Sequence, residues 1–169
     1  LAGQTIVAGG SMKDNYENAL ATSYEMQRGV GIALDNRKVL EAVGKTTGVI
    51  RAQMGGNTEE ITRAVTQAKL LGMELKDVAA SGKQILDFES SIQAELEAEL
   101  LTGKQLNLEK ARLAALTGDY ETLTNEIAKN AGSFTEFTGM NVLQQEALAK
   151  SLGMQADQMA DMLYKQETQ

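Results

Sequence analysis

The stretch LAALTGDYETLTNEIAKNAGSFTEF, residues 113–137, carries the clearest pattern in the chain. Leu113, Leu116, Tyr120, Leu123, Ile127, Phe134 and Phe137 fall on the a and d positions of one heptad frame, the mark of a helix packed along a seam. Asn130 takes the remaining d position, where a polar residue fixes register and strand number at some cost in stability. In the same frame Gly118, Gly132, Gly139 and Gly153 all fall on f, the outermost position. One long helix tolerates outward glycines at about 1 kcal/mol each. Alternatively, glycines end short helices. Ser133-Phe134-Thr135-Glu136 and Asn141-Val142-Leu143-Gln144 have the shape of capping boxes just past Gly132 and Gly139, which favours breaks there. At Gly118 the two readings balance.

Working outward, the same helical texture runs through most of the chain. Asn57-Thr58-Glu59-Glu60 is a helix start, with Asn to cap and Glu60 where a capping box wants its carboxylate. Ile61, Ala64, Ala68, Leu71, Leu75 and Val78 then recur at alternating spacings of three and four, like a coiled-coil seam. Gly82 separates this from a helix over Lys83 to about Leu101, whose apolar face reads as Ile85, Phe88, Ile92, Leu96 and Leu100. Upstream, Lys13 to about Val43 is helical with weak points at Gly29 and Gly31, and Gly44–Gly56 is a loop or broken helix. Leu71-Gly72-Met73 returns as Leu152-Gly153-Met154, followed by the apolar–Ala pairs Val78-Ala79 and Met159-Ala160. The repeated unit is helix, Gly turn, helix, without the fixed period of a solenoid.

The organisation expected is therefore an irregular Gly-rich lead-in over residues 1–12, a helical segment over 13–56, a long heptad segment over 57–131, and short helices with corners over 132–169. The fold class expected is all-α, with Gly-punctuated breaks and coiled-coil-like homo-oligomeric packing.

Composition agrees. Among 169 residues there is no Pro, Cys, His or Trp. Absence of Pro is what long helices need. Absence of Cys and His removes the thiolate nucleophile, the usual neutral-pH base and the commonest metal ligands. A net charge of −7 argues against broad nucleic-acid binding and against adhesion to an anionic membrane surface. No run approaches 18 apolar residues, so no transmembrane segment is expected. The chain starts at Leu1 without a basic n-region and stops inside a helical tract, so it reads as a segment of a longer polypeptide.

The chemistry-bearing motifs are weak. Gly44-Lys45-Thr46-Thr47 resembles the end of a phosphate-binding loop, but Val39 stands where that motif needs Gly, and helix precedes it where a strand is required. Ala149–Met154 with Asp157, Met159 and Ala160 has the shape of a helix-turn-helix corner, yet Lys165 is the only base on the second helix, so a plain helical corner is the simpler reading. Gly118-Asp119-Tyr120-Glu121 is like the turn of tetratricopeptide repeats, without the rest of that signature. Paired carboxylates are plentiful but sit in no evident apolar pocket. Met154, Met159 and Met162 read as gap-filling core. No catalytic, cofactor-binding or metal-binding residue is expected.

The stretch from about Glu95 to Lys165 resembles part of a bacteriophage tail tape measure protein. The residues that carry this are Glu97–Arg112 (EAELLTGKQLNLEKAR), Ala115–Tyr120 (ALTGDY) and Met140–Ala149 (MNVLQQEALA) with Leu152-Gly153-Met154 behind them. The resemblance implies a structural virion protein, not an enzyme. It implies a long helical protein in the lumen of a tail tube that sets tail length, takes part in tail assembly and leaves ahead of the DNA at ejection. It further implies that the C-terminal part is held by the baseplate hub. The partners implied are further copies of the chain, three by the symmetry of the hub with six as the alternative, together with tail tube and hub proteins. The self-association seam expected is the heptad row from Leu113 to Phe137. The rival reading is a helical adaptor or regulatory binding module built on helix-turn-helix-like corners.

Overall fold

Small glycine turns and side-chain caps divide the chain into many short helices. In the computed structural model, which describes residues 12–169 with side chains from residue 17 onward, all regular structure is helical. The expected lead-in over residues 1–12 lies outside the described residues except at its last position. The helices are α1 (Met12–Val30), α2 (Asn36–Gly44), α3 (Gly48–Gln53), α4 (Thr58–Leu70), α5 (Leu75–Ile85) and α6 (Phe88–Thr102). They continue as α7 (Glu109–Thr117), α8 (Tyr120–Ala131), α9 (Phe134–Thr138), α10 (Val142–Ser151) and α11 (Ala156–Thr168).

Local chemistry sets most starts. Asn57 accepts from the backbone N–H groups of Glu59 and Glu60 at 2.9 and 3.2 Å. Asn141 and Gln144 close a reciprocal capping box. Ser133 accepts from the Glu136 N–H, while the Glu136 carboxylate turns instead to Lys104 Nζ at 2.7 Å. Each of these satisfies amides that have no partner inside the helix.

One continuous core runs from Val39 to Leu163 and draws on every helix from α2 to α11. The span 57–131, read as one long heptad segment, is folded as five helices and belongs to this core along with its flanks. The row Ile61, Ala64, Ala68, Leu75 and Val78 is buried as its periodicity implies, but the chain turns at Gly72 in the middle of it. Both halves of the row serve the same interior from different directions.

Gly82 is not a break. It lies inside α5, where a Cβ would come 2.7 Å from Leu123 Cδ2 and 3.4 Å from Ala115 Cβ. Its missing side chain lets α5 approach α7 and α8. The break falls after Ile85, at Leu86 and Asp87.

The repeated Leu-Gly-Met corner folds the same way twice. Leu71, Gly72 and Met73 donate their N–H groups to Ala68, Lys69 and Ala68 carbonyls, and Leu152, Gly153 and Met154 donate to Ala149, Lys150 and Ala149. Both glycines have positive φ, +77° and +70°. The two corners then dock reciprocally. A Cβ at Gly72 would lie 2.5 Å from the Met162 carbonyl oxygen, and one at Gly153 would lie 2.6 Å from that of Ser81. Gly72 and Gly153 are 81 residues apart, and so are Ser81 and Met162. Each corner therefore presses its glycine against the equivalent carbonyl of the helix that follows the other corner. The internal repeat is a local two-fold arrangement at the centre of the fold.

Candidate interaction surface

Tyr120, Leu123, Ile127 and Phe137, expected on a self-association seam, point into the chain's own core. Turns at Gly118 (φ +77°) and Gly132 (φ +82°) cut the heptad frame into α7, α8 and α9, so its a and d positions never form one edge. Phe134 is partly buried and packs edge-to-face on Tyr164, with ring centroids 5.6 Å apart. Leu113 and Leu116 are 62% and 63% exposed. The structure thus brings four of the seven residues together inside the bundle, sets one at its edge and leaves two outside. A coiled-coil edge made of all seven does not exist in this fold.

Asn130 has a different role from the register-setting one its d position implies. Its Oδ1 accepts from the Asn107 N–H at 3.0 Å, and its Nδ2 donates to the Asn107 and Glu126 carbonyls at 3.1 and 2.8 Å. It clamps the loop between α6 and α7. The Glu99 carboxylate supports the same loop by accepting from the Leu106 N–H at 2.9 Å. Tyr120 donates its hydroxyl to Gln53 Oε1, and burial raises its phenol above the ordinary value of 10.0.

Among the described residues, the outer side of α6 is an apolar face without a packing partner. Its inward residues are small: Ser91, Ala94 and Ala98 are buried, and α10 lies along them with Ala147, Leu148, Ala149 and Ser151 buried. Small side chains let the two helices approach closely. The large apolar residues of α6 face the other way. Phe88, Ile92, Leu96 and Leu100 are 46%, 48%, 60% and 85% exposed. Sequence periodicity found this row as the apolar face of the helix, without fixing which way it points. Only Ile85 of that expected face is buried, and it belongs to α5.

At four-residue spacing the row forms a ridge about 18 Å long from Phe88 to Leu100. Beside it, one position on, runs a polar row of Glu89, Gln93 and Glu97, all exposed. Among the described residues neither Glu89 nor Glu97 takes part in an ion pair, whereas Glu95 is held by Arg112 Nη2 at 2.6 Å. Arg112 also donates to Ser91 Oγ at 3.2 Å, which fixes α7 against α6. α7 repeats the inversion. Ala111, Ala114 and Ala115 are buried while Leu113 and Leu116 face outward, with Leu116 one turn beyond Arg112. At the far end of α6, Val142 and Leu143 are also exposed, and Gln144 donates to the Leu101 carbonyl.

The segment Gly44-Lys45-Thr46-Thr47 is a helix end and a cap. Gly44 ends α2, the Thr46 hydroxyl donates to the Ala42 carbonyl at 3.0 Å, and Thr47 caps α3. Lys45, Thr46 and Thr47 border a groove of about 410 Å³ whose apolar lining is Ala42, Ile50 and Leu75. Lys38, Lys45 and Lys76 stand exposed at its rim, while Lys69 is engaged with Glu74 at 3.2 Å. Glu41 is the remaining acid there, so the rim keeps an excess of positive charge. Among the described residues no helix is long and apolar enough to cross a membrane, and no three acidic side chains converge on a metal-sized site.

No family model matches this sequence, no curated protein is similar to it, and no solved structure matches its fold.

Proposed function

We propose that this chain is a structural segment of a bacteriophage tail tape measure protein, from a compact part near the baseplate hub, and that it works by association instead of catalysis. The observation that carries the associative reading is the outer ridge of α6. A helix that spends its small residues on its own fold and holds Phe88, Ile92, Leu96 and Leu100 outside is apolar on both sides, and such helices are covered on both sides when they function. The resemblance over Glu95–Lys165 supplies the setting: the virion, copies of the same chain around a three-fold hub, and tube proteins outside them.

The many short helices favour the hub-proximal placement over the ruler itself. A ruler draws its length from about 1.5 Å of helix rise per residue, and a chain that turns back on itself at Gly72, Gly103, Gly118 and Gly153 gives most of that length away. The rival reading, a helical adaptor, draws on the lysine-rimmed groove, whose excess of positive charge suits an acidic partner.

Particle context tests the proposal. Affinity purification of the tagged chain from phage-producing cells is expected to bring down a ring-forming tube or hub protein. Recovery of a single non-ring partner from uninfected cells, with no virion protein, would overturn the tail assignment in favour of the adaptor.

A further inference from the structure

We propose that the α6 ridge of one copy seats in the lysine-rimmed groove of the next, so that the chain associates head to tail. This rests on reading α6 as an association face and adds the surface it meets. The ridge is an apolar row with unpaired Glu89 and Glu97 beside it. The groove is its counterpart: an apolar lining of Ala42, Ile50 and Leu75 beside Lys38, Lys45 and Lys76. In a chain of net charge −7 this concentration of lysine around an apolar hollow is a local reversal of sign. Seating the ridge there covers large apolar side chains and brings each uncompensated carboxylate toward an ammonium group.

The alternative pairing, ridge on ridge, is disfavoured by the same charges. In a parallel two-fold pair the two Glu rows fall on opposite sides of the seam and neither finds a cation there. An antiparallel pair centred on Gln93 sets Glu89 against Glu97, like charge on like charge, which costs several kcal/mol at a desolvated interface. The groove and the ridge are different surfaces, built by α2, α3 and α5 on one side and by α6 on the other. Their contact is therefore heterologous. It closes into a ring when the rotation between copies allows, three copies for a third of a turn, and otherwise continues as a filament.

The test is sedimentation velocity on the full chain across a wide concentration range, with melting curves to confirm folding. The ridge variant is Leu96→Gln with Leu100→Gln. The groove variant is Lys38→Glu, Lys45→Glu and Lys76→Glu. All five positions are exposed, so both variants keep the fold. The wild type is expected to associate, and each variant alone to lose roughly 100-fold in association constant. An equimolar mixture of the two is expected to recover association but to stop at the dimer, because one component keeps only its groove and the other only its ridge. Lys110→Glu, Lys129→Glu and Lys150→Glu together, which change net charge equally, are expected to leave association unchanged. A wild type that stays monomeric throughout overturns both this inference and the associative reading. A groove variant that assembles like the wild type, or a mixture that forms no dimer, overturns head-to-tail pairing and leaves the associative reading standing.

Discussion

Replacing Leu123 and Ile127 together with aspartate is expected to unfold the isolated chain. Both side chains are fully buried in the common core, and α8 carries them against α4, α5 and α7. Burying a carboxylate costs several kcal/mol per ion even after relaxation, and Leu-sized cavities in a core add about 2–5 kcal/mol. Two such sites exceed the roughly 5–15 kcal/mol that holds a domain of this size together. Far-ultraviolet circular dichroism and a thermal melt read the outcome directly. Were these residues on the outer edge of a coiled coil, the same double change would leave a folded, helical monomer. A variant that keeps a cooperative melt near the wild-type midpoint contradicts the bundle described above.

The second large effect is expected at the docked corners. Gly153→Ala and Gly72→Ala each force a side chain onto a left-handed backbone, at about 1–2 kcal/mol. Each also drives a Cβ to 2.6 or 2.5 Å from a carbonyl oxygen of the opposing helix, and overpacking of this kind adds about 1–3 kcal/mol. Gly103 separates the two causes, because its φ is +74° and nothing lies within 4 Å of its Cβ position. Gly103→Ala is expected to show the backbone penalty alone. With about 2–4 °C of midpoint per kcal/mol in a domain of this length, the corner variants should melt roughly 4–20 °C below wild type and Gly103→Ala only a few degrees below. Equal losses at all three glycines would mean that the reciprocal corner contact does not exist.

Much of this fold was legible in residues 57–60, 133–136 and 141–144, because capping is local. Asn57, Ser133 and Asn141 satisfy amides two or three residues on, and no distant contact is needed to see it. The recurrence of Leu-Gly-Met was also visible, though not its meaning, since two corners 81 residues apart had to be brought face to face first. Glycine was ambiguous for a physical reason. It serves either as a left-handed stop, as at Gly103 and Gly118, or as an opening for a neighbouring helix, as at Gly82, and only the packing partner Leu123 distinguishes them.

The candidate surface was legible as a row and not as a direction. Periodicity in α6 identifies Phe88, Ile92, Leu96 and Leu100, and the usual rule sends large apolar residues inward. The same helix carries a second apolar face made of Ala94 and Ala98, and close approach to α10 selects that one. α7 makes the same choice, with Ala111, Ala114 and Ala115 inside and Leu113 and Leu116 outside. The coexistence of a small apolar face and a large one on the same helix is the sequence signal that points to an outer surface. The heptad frame of residues 113–137 was misleading because three consecutive helices kept its spacing while the turns at Gly118 and Gly132 redirected each of them.

The chain contains no cysteine, so a single introduced thiol reports one position at a time. The rate of thiol labelling under native, dilute conditions, compared between Leu96→Cys and Ile127→Cys, tests directly which apolar row the fold keeps inside. The account predicts that the position on α6 labels as fast as in the unfolded chain, while the position on α8 labels only as fast as the protein opens. Rapid labelling at position 127 with protection at position 96 would contradict it.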